Sequence, residues 1–87
     1  MTDMLSKPIL YTQTGCTESA RVRSWLADHG ITFTERDAGS DPEAARALYA
    51  TGTFATPLLV IGDTTVLGFR PEALARVLQA KREAQGR

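Results

Sequence analysis

The stretch ILYTQTGCTESARV, residues 9–22, decides how this chain reads. Pro8 precedes a short apolar run, Ile9–Tyr11, that reads as a buried first strand. After the TQTG turn, Val22, Trp25, Leu26 and His29 recur at helical spacing, predicting a helix over Thr17–His29 with that face toward a core. Between strand and helix stands Cys16, the only cysteine in the chain. At a helix start, unpaired N–H groups and the macrodipole favour a negative charge, so a thiolate gains there as a phosphate would. Gly15 lets the backbone turn sharply and leaves the sulfur uncrowded. A lone cysteine is more commonly a small buried apolar residue. A strand-to-helix junction is exposed, however, which favours the functional reading.

Two neighbours bear on that sulfur. Ser19, one turn on, can donate its O–H to a thiolate but cannot form a disulfide with it; an ordinary surface serine is the competing reading. Glu18 is expected to face solvent and complement the helix dipole, since a carboxylate turned toward the sulfur would oppose ionisation.

Outward from this unit, Gly30 supplies the φ > 0 position that ends the first helix. ITFTERD, residues 31–37, alternates apolar and polar residues and predicts a second strand. SDPEAARALYATG predicts a helix capped by Asp41, opened by Pro42 and closed by Gly52, with a narrow face of Ala45, Leu48 and Tyr49. PLLVIGDTTVLG reads as two strands around a Gly62–Asp63 turn. A last helix starts at Pro71, with Leu74, Val77, Leu78 and Lys81 in one stripe and a staple between Phe69 and Leu74. The final REAQGR is expected to fray. The order β-α-β-α-β-β-α predicts an α/β domain: a parallel first pair, an antiparallel hairpin, and a four-stranded mixed sheet flanked by helices.

At 87 residues the chain is one small domain, 1–87, with its core expected between about residues 8 and 80. Ten basic residues balance ten acidic ones, so nothing argues for a nucleic-acid or anionic membrane partner. One cysteine excludes an internal disulfide framework and points to the cytoplasm. The first residues, MTDMLSKPILY, lack the pattern of a signal peptide, and no apolar run is long enough to cross a bilayer. One cysteine and one histidine cannot build a closed metal site, so no metal is expected and His29 reads as structural.

Two further segments could carry chemistry. In FATPLLV, residues 54–60, a cis Pro57 would leave the backbone groups of Thr56 unpaired, ready to pair with an extended peptide; a plain trans turn is the commoner outcome. In LGFRPEAL, residues 67–74, Gly68 and Phe69 would let a ligand approach the backbone, with Arg70 available for an anion; a tight turn with a staple explains the same residues.

Taken together, these segments resemble the glutaredoxin family of the thioredoxin superfamily from Pro8 to about Ala80. ILYTQTGCTES resembles its strand, turn and Cys-x-x-Cys helix start, and ATP at 55–57 its Thr-Val-Pro segment. GFRPEAL is similar to the ending of the NrdH-redoxin-like subgroup, glutaredoxins that behave more like thioredoxin. The resemblance implies a thioredoxin fold with sheet order 2-1-3-4. It implies Cys16 as nucleophile, Thr56 as the residue whose backbone pairs with a thiol peptide, and Pro57 as the cis-proline. Gln13 stands where the family usually has a lysine, and Phe69 and Arg70 where glutathione-using members carry an aspartate.

Ser19 stands at the resolving cysteine's position, so the two-cysteine cycle that serves ribonucleotide reductase is unavailable as written. The implied activity is therefore a monothiol thiol–disulfide exchange. Cys16 would reduce mixed disulfides between proteins and low-molecular-weight thiols, with Ser19 assisting. The partners implied are a small thiol, glutathione or equivalent, as co-substrate and thiol-containing proteins. The protein is expected to be a bacterial cytoplasmic monomer without a tightly bound cofactor. Two other readings remain open: a redox-inactive or thiol-capturing binding module on the same fold, and an iron–sulfur-bridged dimer.

Overall fold

A computed structural model describes residues 7–62 and 64–85, with side chains to residue 79. The elements run β1 (Ile9–Thr12), α1 (Thr17–Asp28), β2 (Thr34–Asp37), α2 (Pro42–Ala50), β3 (Leu58–Ile61), β4 (Thr64–Leu67) and α3 (Pro71–Gln85). They form one four-stranded sheet of order β2-β1-β3-β4, as expected. β1 pairs parallel with β2 and antiparallel with β3, and β3 with β4 antiparallel. The Ile61–Thr64 pairing fits the two-residue turn; its second residue, Asp63, lies outside the described residues. Among the described residues no helix is long and apolar enough to cross a membrane.

Strand alternation splits the apolar residues between two faces of the sheet. Leu10, Leu59, Ile61 and Val66 pack with Val22 and Leu26 of α1 and Leu74 of α3. Phe69, Val77 and Leu78 pack against that cluster, in keeping with the predicted stripe and staple; the Lys81 side chain lies outside those described. On the opposite face Tyr11 and Leu58 meet Leu48 of α2.

The helix ends follow local chemistry. Asp41 caps α2 by accepting from the Glu43 N–H at 3.0 Å. At the end of α1, Gly30 N–H donates to Ala27 and Ile31 N–H to Leu26, the paired bonds that terminate a helix through a left-handed glycine, here at φ 68°. This turn corrects the expected second strand. Ile31 and Phe33 are half-buried against the core cluster, but the strand starts only at Thr34, because Ile31 is still tied back to α1.

Three other expectations shift. Tyr49, expected in the core face of α2, is 61% exposed and stacks on Phe54, whereas Ala44 is buried. His29, expected on the core face of α1, is exposed and stacked on Trp25, its Nδ1 donating to the Trp25 carbonyl at 2.8 Å. The helix expected to fray from residue 82 continues to Gln85.

Candidate thiol site

Cys16 is the N-cap of α1, at φ −84° and ψ 111°. Its own N–H donates to the Gln13 carbonyl at 3.0 Å, closing a turn whose third residue, Gly15, sits at φ 83°. Such a turn needs φ > 0 at that position, which is why glycine occupies it. The turn delivers the sulfur half-exposed at the top of β1.

Three segments meet there. The Cys16 thiol points to the Thr56 carbonyl, with Sγ 4.0 Å from the oxygen. The Thr56–Pro57 peptide is cis. Thr56 N–H has no partner among the described residues. The Pro57 carbonyl accepts from Gly68 N–H at 2.8 Å, tying this loop to the β4–α3 turn. Phe69 N–H in turn donates to Glu18 Oε2 at 3.0 Å. Glu18 is exposed, yet it does not simply point to water as expected; it bonds across 51 positions of sequence to the third segment. Nothing local to α1 encodes that partner.

Ser19 is fully buried, not a surface residue, and its Oγ has no hydrogen-bond partner among the described residues. A thiol is a poor acceptor, whereas a thiolate is a good one, so ionisation of Cys16 gives this stranded hydroxyl its partner. The Ser19 hydroxyl is the leading cause that holds the Cys16 thiol below its ordinary range, followed by the Ser19 N–H. Burial pushes the other way, and the Thr56 hydroxyl and the Glu18 N–H add to the lowering. Backbone and hydroxyl dipoles thus stabilise the thiolate without a cationic side chain.

The β2 side of Cys16 is different in kind. A cavity of about 520 Å³ runs from Gln13 and Cys16 to Arg23, Glu35 and Asp37. Arg23 grips Glu35 with two bonds, Nε to Oε1 at 2.9 Å and Nη2 to Oε2 at 2.7 Å, and Thr12 Oγ1 adds a third at 3.0 Å. Asp37 accepts from Thr14 Oγ1 at 2.7 Å and Gly39 N–H at 2.8 Å. These bonds hold the Glu35 and Asp37 carboxyls below their ordinary range, Arg23 leading for Glu35 and Thr14 for Asp37. Sequence reading missed this network because its members lie on separate elements with no motif to link them.

The remaining candidates fall around the sulfur. Gln13 is exposed and lines the cavity beside Cys16. Gly68 and Phe69 are half-buried, and Arg70 is exposed with no ion pair among the described residues. Among those residues no group of acidic, histidine and cysteine side chains could hold a metal.

Comparison with known proteins agrees with this geometry. The Glutaredoxin family model matches residues 9–66. The glutaredoxin-like protein NrdH of Lactococcus lactis is 31% identical over 68 residues, 78% of this chain and 94% of that protein. NrdH of Escherichia coli is 31% identical over 75 residues, 86% of this chain and 93% of that one. The solved structure of Escherichia coli NrdH-redoxin, described as having a thioredoxin-like activity profile, superposes with a TM-score of 0.74 at 30% identity, covering 82% of this chain and 93% of that chain. With a thioredoxin-type sheet, a cysteine capping the first helix and a cis-proline loop facing it, this chain belongs to the glutaredoxin family, close to its NrdH redoxins.

Proposed function

We propose that the protein is a monothiol thiol–disulfide exchange enzyme with Cys16 as its nucleophile. The Cys16 thiolate attacks the small-thiol sulfur of a mixed disulfide between a protein and a low-molecular-weight thiol. The protein thiol leaves, and the small thiol stays bonded to Cys16. A second small thiol attacks this bond, returning Cys16 and carrying away a small-molecule disulfide. The net reaction consumes one free small thiol: the mixed disulfide and that thiol become a protein thiol and a small-molecule disulfide, so one S–S bond replaces another and no bound cofactor is required.

The observation that carries this reading is the fully buried Ser19 hydroxyl without a partner beside a half-exposed thiol whose ionisation would satisfy it. In this reading Ser19 is a positioning residue for the thiolate. Thr56 and Pro57 seat the substrate chain through the unpaired Thr56 N–H, while Gln13, Gly68, Phe69 and Arg70 border the small thiol. The NrdH relatives support thiol-containing proteins as partners, and a cytoplasmic place in the cell suits a free reactive thiol.

The test is alkylation by iodoacetamide as a function of pH, beside turnover on a protein mixed disulfide. Cys16 should titrate clearly below about 8.5, the free-cysteine value. An unshifted titration together with no exchange would defeat the proposal. Pull-down of a protein partner that survives Cys16→Ala, with no exchange activity, would favour a binding module instead.

A further inference from the structure

We infer that Glu18 makes this site select against small thiols that carry a carboxylate near the reacting sulfur. The inference rests on the reading that Cys16 exchanges with small-thiol disulfides, and it names the class of thiol.

The three segments around the sulfur close into a ring. Cys16 faces the Thr56 carbonyl, Pro57 holds Gly68, and Phe69 holds Glu18, which lies in the same helical turn as Cys16. Only the Pro57–Gly68 link is backbone to backbone. The other two each use one side chain, the Cys16 thiol and the Glu18 carboxylate, and of these only the carboxylate takes a backbone donor. At the β4–α3 turn the Gly68 N–H is already spent on Pro57, and the Phe69 N–H on Glu18. The carboxylate also lies close against the turn: a Cβ at Gly68 would stand 3.3 Å from Glu18 Oε2. A substrate carboxylate seeking the Phe69 N–H must therefore displace one that the chain supplies. It also meets a like charge as it arrives, whereas a neutral or cationic thiol meets neither obstacle.

The opposite flank does not offset this. Arg23, the one cation lining the cavity there, is spent on Glu35 by two bonds. Asp37 leaves that cavity with a formal charge of −1, counting one cation against two carboxylates. Gln13 adds no charge. Two cations stand at the Phe69 flank: Arg70, next in sequence, and Arg21, which lines the cavity beside Phe69 together with Asp28. Both are exposed and screened by water, and neither offers the backbone donor that Glu18 occupies.

The experiment uses three symmetrical disulfides of graded charge: neutral bis(2-hydroxyethyl) disulfide, cationic cystamine and anionic 3,3′-dithiodipropionate. In each case the Cys16 thiolate attacks one sulfur. The S–S bond breaks as the Cys16–S–S–R bond forms, and the departing thiolate takes a proton from water. The rate of mixed-disulfide formation is read by mass spectrometry and divided by the rate of 2-mercaptoethanol with the same reagent. This removes each reagent's intrinsic reactivity.

For the wild-type protein the normalised anionic-to-neutral ratio should lie about tenfold below unity, and the cationic one at or above unity. Glu18→Ala, which frees the Phe69 N–H, should raise the anionic ratio about fivefold or more. Glu18→Gln, which keeps an acceptor oxygen but removes the charge, should fall between the two. High salt should raise the wild-type anionic ratio, because screening weakens repulsion.

An anionic ratio near unity in the wild type, or one unchanged within about twofold in both Glu18 variants, overturns the inference. If Glu18→Ala fails to fold by circular dichroism, Glu18→Gln and the salt dependence decide alone. A wild-type protein that does not react even with the neutral disulfide defeats the exchange reading itself, a result distinct from reaction without charge preference.

Discussion

The two faces of the sheet are built unequally, and the halves of the thiol site stand on different ones. On one face, Leu10, Leu59, Ile61 and Val66 meet two helices through Val22, Leu26 and Leu74, with Trp25, Ile31, Phe33 and Phe69 packed around them. On the other, Tyr11 and Leu58 meet one helix through Leu48, and the aromatic pair beyond it stays in water, Phe54 at 71% exposed. Cys16 begins α1, which lies on the thick face. The loop leading to Thr56 follows α2, which covers the thin one. The sulfur is therefore on the better anchored element, and the segment proposed to seat the partner on the weaker one.

Matched truncations test this contrast. Leu26 and Leu48 are both buried leucines on helices, so losing the same atoms should differ in cost only through the surroundings. Leu26→Ala should cost about 3–4 kcal/mol, most of the stability of a domain this size, because fixed neighbours surround it and cannot collapse into the cavity. Leu48→Ala should cost about 2 kcal/mol, since α2 can settle toward the sheet over a thinner layer. Urea midpoints at constant m-value measure both. Equal costs, or a reversed order, would show that the difference between the faces has no energetic meaning.

Ser19→Ala should separate stability from reactivity on the thick face. It removes a buried hydroxyl that lacks a partner, so unfolding should change by about 1 kcal/mol or less, in either direction. The Cys16 titration should nevertheless rise, because the hydroxyl leads the causes that lower it, and alkylation at neutral pH should slow severalfold. A large stability loss with unchanged alkylation would mean that Ser19 fills space and does nothing for the sulfur.

The thick face was legible because its residues repeat with strand and helix periods: Leu10, Val22, Leu26, Leu59 and Leu74 can each be placed from spacing alone. Caps were legible for the same local reason, as Asp41 and Gly30 show. Tyr49 was misread because α2 turns a narrower face inward than its apolar spacing suggests; its partner Phe54 comes from a loop without period. Ser19 could be placed one turn from the sulfur, but its burial depends on the helix lying against the sheet. Glu18 and the Arg23–Glu35 pair were invisible because each contact joins distant segments, and a single exposed charge carries no sign of where it will reach.

That Arg23–Glu35 pair gives the smallest expected effect and tests the polar rim of the thick face. Leu10 pairs with Glu35 in the parallel register, so Glu35 shares the core side of the sheet at its edge, where Arg23 of α1 reaches across. The side chains are 45% and 33% exposed, so water screens their attraction despite the two-bond geometry. A double-mutant cycle with Arg23→Ala and Glu35→Ala should give a coupling of about 0.5–1 kcal/mol at neutral pH. Arg23 lowers the folded-state titration of Glu35 below its unfolded value of about 4.3. The coupling is therefore full above that value, and it is lost as pH falls through the lower folded one. High salt should shrink it as well. A coupling that persists in strong acid would assign the pair's contribution to packing of the Arg23 stem over the rim, with charge playing no part.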